Sequence, residues 1–294
     1  MIPEYPKLKS LELEDLKNLG KHLELNPKAV CEFSPTNLFI WKDFDRPRLT
    51  LINGNLCIKI SPPNEPPYFL EPIGNNKLPE TAKTCLSETG KISRVSESFL
   101  SLIPQESLKI KCLRDHFDYI YSTKELAELK GKKFDGKRNH IKKFQSRFPE
   151  YKFIPLEPEM KRAAMDLFEK WYKARKQTRY FPKFAHESQK KALEESFKYF
   201  NELRLVGGSL FVGKALKGFS IGSELNRETV SVHLQYGDPS TQGTSQVILW
   251  EACKKIYSKY TLINLEQDLG IPGLRKSKLS YHPYKLERKF EIEV

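Results

Sequence analysis

Along the chain, apolar positions recur with a period that switches between two and roughly 3.6 residues, and each switch marks an element. Leu11, Leu13, Leu16, Leu19 and Leu23 stand at mixed spacing, which predicts a short strand running into an amphipathic helix. From Arg48 to Ile60, Leu49 and Leu51 alternate on one side of Asn53-Gly54, and Leu56, Ile58 and Ile60 on the other. Asn-Gly tolerates the left-handed backbone of a two-residue turn, so this stretch reads as a hairpin. The prolines of SPPNEPP forbid regular pairing and predict an extended loop. LPETAKTCLSETG then reads as a helix closed by Gly90, and HFDYIYS as a strand.

Residues 124–150 are lysine-rich and broken by Gly131, Gly136 and Pro149, yet Phe134, Ile141, Phe144 and Phe148 give them an apolar helical stripe. They predict a structured, basic helical connector. The theme then restarts. YKFIPL is strand-like, and a helix follows from Glu157 to Lys176 with Met160, Ala164, Leu167, Phe168 and Trp171 on one face. A second helix covers HESQKKALEESFKYF, three strands read RLVGGSLFVG, GFSIGSEL and ETVSVHLQYG, and GTSQVILWEACKKIYSKY is again helical. TLINLEQ and KLERKFEIEV supply further strands. Helix, helix, antiparallel strands, helix, strand is the order of an α+β acyltransferase-type domain. The expected organisation is 1–123 as a first domain, 124–150 as the connector and 151–294 as a second domain of similar layout.

Composition narrows the chemistry. The 294 residues are 39% hydrophobic, 30% charged and 12% aromatic, a globular balance, and the net charge is +13. Such an excess favours phosphate-rich partners, namely nucleic acid, an anionic membrane surface or a phosphorylated cofactor, and lysine enrichment for solubility would give the same total. Cys31, Cys57, Cys85, Cys112 and Cys253 lie far apart with no ligand spacing, so they read as reduced core thiols, and no metal site is expected. The N-terminal stretch has no apolar leader pattern, and no apolar run approaches the ~20 residues of a membrane span. These features point to a cytoplasmic protein. His22, His116, His186 and His233 have no Ser, Cys or carboxylate at recognisable spacing and read as structural.

Three stretches could carry chemistry. In TLINLEQDLGIPGLRKSKLSYHP, strand alternation places Asn264, Glu266 and Asp268 on one face, and Gly270 with Pro272-Gly273 forces a turn. Arg275, Lys276, Lys278 and Tyr281 follow. Carboxylates facing cations could orient an ammonium and a phosphate of one substrate; on residue types alone, a charged surface corner is the simpler reading. In KFDGKRNHIKKF, Asp135 can cap a helix whose first turn then holds Lys137 and Arg138, cations set against the dipole as if an anion lay among them. In YGDPSTQGTS, the free amides of Gly243, Thr244 and Ser245 at a helix start could cradle phosphates of a coenzyme A thioester, although the Q/RxxGxG/A spacing of GNAT acetyltransferases is not matched.

YIYSTKELAELKGKKFDGKRNHIKKF and INLEQDLGIPGLRKSKLSYHPYKL, with SPTNLFIWKDF and GTSQVILWEACKK, resemble the phosphatidylglycerol lysyltransferase C-terminal domain family over nearly the whole chain. The resemblance implies two tandem GNAT-like domains with mixed, mostly antiparallel sheets flanked by helices, related to Fem-type aminoacyl transferases. It also implies transfer of an aminoacyl group from aminoacyl-tRNA to a lipid or small-molecule acceptor. On that basis Lys137, Arg138 and Asn139 are expected to line the substrate cleft. Glu266 and Asp268 are expected to bind an amino group or act as general base, with Asn264 beside them. Arg275, Lys276 and Lys278 are expected to hold phosphate, and Tyr281 to donate to an oxyanion. An activated ester requires no metal or resident cofactor. Two alternatives stay open: an acyl-CoA-dependent N-acetyltransferase, and a non-catalytic binder of RNA or anionic lipid. The lipid-modifying members carry a transmembrane half, which is not expected here, and their closing strand tends to run into a neutral, glycine-rich segment, where this sequence has Glu266, Asp268, Arg275 and Lys276.

Overall fold

Among the described residues two seven-stranded sheets form, and the first of them is completed by the last strand of the chain. The computed structural model describes residues 1–175 and 185–294. These form two compact units. One comprises Met1–Asp118, Gln267–Gly270 and Leu286–Val294; the other comprises Tyr119–Glu266 and Ile271–Lys285.

The first unit opens with β1 (Lys9–Ser10) and α1 (Leu16–Leu25), followed by α2 (Pro35–Ile40) and α3 (Lys42–Asp45). Strands β2 (Arg48–Ile52) and β3 (Asn55–Ile60) form the expected hairpin, with Asn53 and Gly54 at φ 52° and 75°. Next come β4 (Tyr68–Phe69), α4 (Leu78–Thr89), β5 (Lys91–Ser96), α5 (Glu97–Leu100) and β6 (Lys109–Cys112). Gly90 ends α4 in the left-handed region, at φ 77°, as a glycine after a helix can do without strain.

The second unit contains β7 (Asp118–Ser122), α6 (Thr123–Glu128), α7 (Asp135–Arg147), β8 (Lys152–Pro155), α8 (Lys161–Arg175) and α9 (Ala185–Lys198). It continues with β9 (Val206–Val212), β10 (Ala215–Asn226), β11 (Thr229–Gly237), α10 (Thr244–Lys255), β12 (Leu262–Asn264) and α11 (Pro272–Leu279); β13 (Lys285–Glu287) begins at the last residue of this unit. Lys176, the expected end of α8, lies outside the described residues. The chain finishes with β14 (Lys289–Glu293).

Sheet order is β1-β2-β3-β4-β5-β14-β6 in one and β13-β7-β12-β11-β10-β9-β8 in the other. The fold is thus α+β, with mostly antiparallel neighbours and with β4–β5 and β11–β12 paired in parallel. Contiguous domains at 1–123 and 151–294 were expected, whereas the units are discontinuous. Strand β14 sits between β5 and β6, and the helical stretch 124–150 packs within the second unit, where α10 meets α6 and α7. Strands β5 and β6 had no clear signature in the sequence: KISRVS and KIKC carry too few apolar residues to stand out.

The place of β14 follows from what it buries. Phe290 and Ile292 join Phe69, Cys85, Ile92 and Phe99 in the core of the first unit. One residue away, Lys289 is fully buried, and its Nζ donates to Asp118 Oδ1 at 2.7 Å and to Glu32. Burial alone would push this lysine down, but Asp118, Cys31 and Glu32 outweigh that and hold it above the ordinary lysine range. Cys31 Sγ, Glu32 and Asp118 are also the group of metal-type donors that converges among the described residues, and the Lys289 ammonium lies against all of them. Nearby, His116 Nδ1 meets Gln267 Oε1 at 2.7 Å, and Gln267 donates to Glu32 at 2.6 Å. Burial, helped by Arg94, pushes His116 down to about 4.

Replacing Lys289 by Met leaves Asp118 and Glu32 buried without their cation. The expected loss in a urea unfolding curve is ~3–5 kcal/mol, the cost of breaking a buried ion pair from one side. His116 adds a pH signature. Its folded pKa, about 4, lies below the ordinary value of 6.5, so the unfolded chain takes up the proton first and stability falls as pH drops from 6.5 towards 4. Asp45, raised by burial to about 7, contributes a slope of the opposite sign in the same window. The His116 share is therefore read as a difference, with His116→Gln losing less stability on acidification than the wild type.

Candidate functional site

In the second unit the parallel strands β11 and β12 pair at Thr229–Leu262, Val230–Ile263 and Ser231–Asn264, and then part. Asn264 causes the parting. Its Oδ1 accepts the Glu266 backbone N–H at 2.7 Å, an Asx turn that takes the amide out of the ladder. Glu266 consequently adopts φ 58°, a left-handed conformation that a non-glycine residue holds only when its surroundings impose it. The surroundings do so here. Leu265 N–H donates to Tyr119 O at 3.0 Å, Tyr119 N–H donates to Glu266 O at 3.2 Å, and Lys278 Nζ donates to Leu265 O.

The turn aims the Glu266 carboxylate at β11. Ser231 and His233 both reach it, and His233 is the extra residue where the β10–β11 register shifts between Ile221 and Gly222. Glu266 Oε1 lies 2.8 Å from His233 Nδ1 and accepts from Ser231 Oγ at 3.1 Å. On the far side of the ring, His233 Nε2 lies 2.8 Å from Ser223 Oγ, and Ser223 stands opposite Ser231 in the β10–β11 register. Four polar side chains from β10, β11 and the turn after β12 thus share one network, with His233 at its centre.

The structure corrects several expectations. The sequence spacing offers His233 no carboxylate or serine partner, and the structure gives it both. Glu266 and Asp268 do not share a strand face, because β12 ends at Asn264 and the left-handed turn breaks the alternation. Asp268 instead belongs to the first unit, fully buried, where Oδ1 accepts Gly270 N–H at 2.9 Å and Oδ2 accepts from Arg114 at 3.1 Å. Its geometry is that of a turn former. Asp135 does not cap α7 through its side chain; it is the first residue of that helix, entered from a 3-10 turn at Lys132–Phe134. Arg138 turns back to the Leu129 and Gly131 carbonyls and to the Asp135 carboxylate, satisfying the end of α6 rather than facing an anion.

The remaining cations divide between two places. Lys137 is half-buried, 2.6 Å from Ser280 Oγ and 3.8 Å from the centre of the Tyr281 ring, and burial lowers its pKa. Tyr281 is buried with its ring edge-on to Tyr121 at 6.5 Å, and burial raises its hydroxyl pKa. Lys278 reaches the strand end, as described, so α11 holds Lys278 against β12 while its C-terminal neighbours meet Lys137. Lys276 and Asn139 are exposed, and Arg275 is half-buried on α11.

The expected phosphate cradle has a packing explanation. Gly243 takes φ 88°, and a Cβ there would fall 2.8 Å from His140 O and 3.2 Å from Phe144 Cβ, so glycine lets α7 approach the start of α10. Thr244 is buried with its hydroxyl on Thr241 O, whereas Ser245 is exposed. Ahead of them, Asp238 receives Lys170 and Lys217, each at 2.8 Å, and fixes the loop between β11 and α10.

A mixed sheet with one parallel pair near its middle, present twice among the described residues, defines the class: a pair of acyltransferase-type domains of the GNAT-like kind. The chain belongs to the phosphatidylglycerol lysyltransferase C-terminal family, whose model matches residues 24–292. A conserved protein of unknown function from Bacteroides thetaiotaomicron is similar throughout, with 30% identity, 100% of both chains covered and a TM-score of 0.89. L-PGS from Bacillus licheniformis shares the fold at 16% identity and TM-score 0.63, over 94% of this chain and 91% of that one. FemX does so at 8% identity and TM-score 0.55, over 98% and 97%. No helix among the described residues is long and apolar enough to cross a membrane.

If the Asn264 side chain ends the strand pairing, Asn264→Ala frees the Glu266 amide. Hydrogen exchange should then show that amide protected in the wild type and rapidly exchanging in the variant. The accompanying loss of stability is about 1–3 kcal/mol, the cost of leaving a buried donor unpaired.

Proposed function

We propose that this protein is an aminoacyl transferase that takes its acyl group from aminoacyl-tRNA and delivers it to a lipid or small-molecule acceptor. The observation that carries this reading is the Glu266 carboxylate, fixed where β11 and β12 part and held by His233 and Ser231. Family membership supports the reaction class. In this account Glu266 receives the ammonium of the aminoacyl group and thereby orients the ester carbonyl. The acceptor attacks that carbonyl, the bond to the tRNA ribose oxygen breaks, and the acceptor's proton leaves with the departing hydroxyl.

Lys137, with its pKa lowered by burial, and the neighbouring Tyr281 supply donors for the charge that develops on the carbonyl oxygen. Arg275 and Lys276 lie on the adjacent helix and suit the terminal phosphates of the donor, while Lys278 stays on the Leu265 carbonyl. The ester is already activated, so the account asks for no metal and no resident coenzyme. The net charge of +13 suits a polyanionic donor whose binding weakens steeply with salt.

Filter binding of the purified protein to bulk aminoacylated tRNA, deacylated tRNA and acetyl-CoA tests the donor. Retention of the aminoacylated pool over the deacylated one is expected, together with a fall in transfer of about 10²-fold or more in Glu266→Gln. Saturable binding of acetyl-CoA alone, competed by free coenzyme A, would overturn the donor assignment in favour of an N-acetyltransferase. Equal retention of both tRNA pools without turnover would leave a nucleic-acid-binding protein.

A further inference from the structure

Ser223, His233 and Glu266 have the composition and the contact order of a hydrolytic triad, serine to Nε2 and carboxylate to Nδ1, both at 2.8 Å. Their burial runs the opposite way. In a serine hydrolase the nucleophile faces substrate and the carboxylate is the buried end. Here Ser223 is 3% exposed, the His233 side chain 0%, and the Glu266 side chain 18%. The carboxylate is the end that a substrate meets first, and the serine is the anchor inside the sheet.

We infer that Ser223 and His233 are positioning residues that hold Glu266 for an amine-bearing substrate, and that Ser223 is not a nucleophile. The inference rests on the role of Glu266 proposed above and goes beyond it by assigning the groups behind the carboxylate. The hydrogen-bond pattern specifies how the relay works. Glu266 Oε1 is an acceptor, so His233 presents its proton on Nδ1; in the neutral ring Nε2 then accepts, and the Ser223 hydroxyl donates to it. Ser231 donates to the same Oε1, at 3.1 Å. Two donors converging on one oxygen fix the rotation of the carboxylate, whose backbone the Asn264 turn already holds. A glutamate side chain on a left-handed turn at a strand end has several rotamers open to it, and the relay selects one.

The ring nitrogens of 15N-histidine-labelled protein report the relay directly, with the His233 signals assigned by their loss in His233→Asn. The expected spectrum shows the Nδ1–H tautomer with Nε2 as an acceptor; an Nε2–H tautomer would overturn the inference. A fluorophosphonate serine probe followed by intact mass is expected to leave Ser223 unlabelled, and labelling there would make it a nucleophile and sink the proposal. Both readouts stand even if no aminoacyl transfer is found, so the failure of the proposed function is distinguishable from the failure of the relay.

With transfer established, His233→Leu should lower kcat by about 10²-fold, the effect of misaligning a group by about 1 Å. In His233→Asn the side-chain amide can take the place of Nδ1, and most of the rate is expected to return. Ser223→Ala should lower kcat by a smaller factor with KM little changed. Equal losses in the Leu and Asn variants, both folded by circular dichroism, would contradict a positioning role.

Discussion

The hydrogen bond from the Glu266 amide to Asn264 Oδ1 decides how the second sheet ends, and the candidate site is built on that ending. Had Asn264 been apolar, β12 could have continued alongside β11, and Glu266 would have followed strand alternation. The short side chain takes the amide out of the ladder, the backbone turns left-handed, and the carboxylate swings back onto Ser231 and His233. Lys278 on the Leu265 carbonyl and Tyr119 on both neighbouring backbone groups hold the turn from the other side. A backbone conformation of this kind is sustained only where several contacts over-determine it.

The first sheet has a comparable parallel pair but resolves it differently. Beyond the β4–β5 pairing, Glu71 accepts from the Ser96 amide at 2.6 Å and from the Ser96 hydroxyl at 2.7 Å, and Lys28 pairs with it at 2.7 Å. The carboxylate there is fully buried and committed to the protein's own donors. Loop residues beside it are tied down as well, with Asn55 bonded to Asn76 and Thr81 and lying where any side chain on Gly74 would fall. The two units therefore treat a carboxylate beside their parallel pair differently. In one the carboxylate closes the fold, and in the other it is partly exposed at the end of a relay.

Much of this was legible in the sequence. Asn53-Gly54 announced its hairpin because a two-residue turn needs left-handed residues, and Gly90 announced the end of α4 for a related reason. The motif 261–283 stands out through its crowding of charge, and within it Asn264 and Lys278 hold the turn that carries Glu266. What was not legible depended on register. His233 shows only as a polar position in an alternating strand; its partners come from β10 and from the turn after β12, and only pairing brings them together. Asp268 is two residues from Glu266 yet serves a turn in the other unit, a separation that no local pattern encodes. Arg138 could be read as an anion ligand from its place at a helix start, but the open carbonyls at the end of α6 are nearer.

The central claim is that Glu266, as positioned by this network, receives the free ammonium of an aminoacyl group. The most direct measurement is binding of a panel of amino-acid amides, followed by isothermal titration and by the backbone amide shift of Glu266, each compared with its N-acetylated counterpart. The account predicts that at least one amide binds and moves the Glu266 signal, that N-acetylation abolishes this binding, and that Glu266→Gln does the same. Equal binding of free and N-acetylated amides, or binding that leaves Glu266 unmoved, would contradict it.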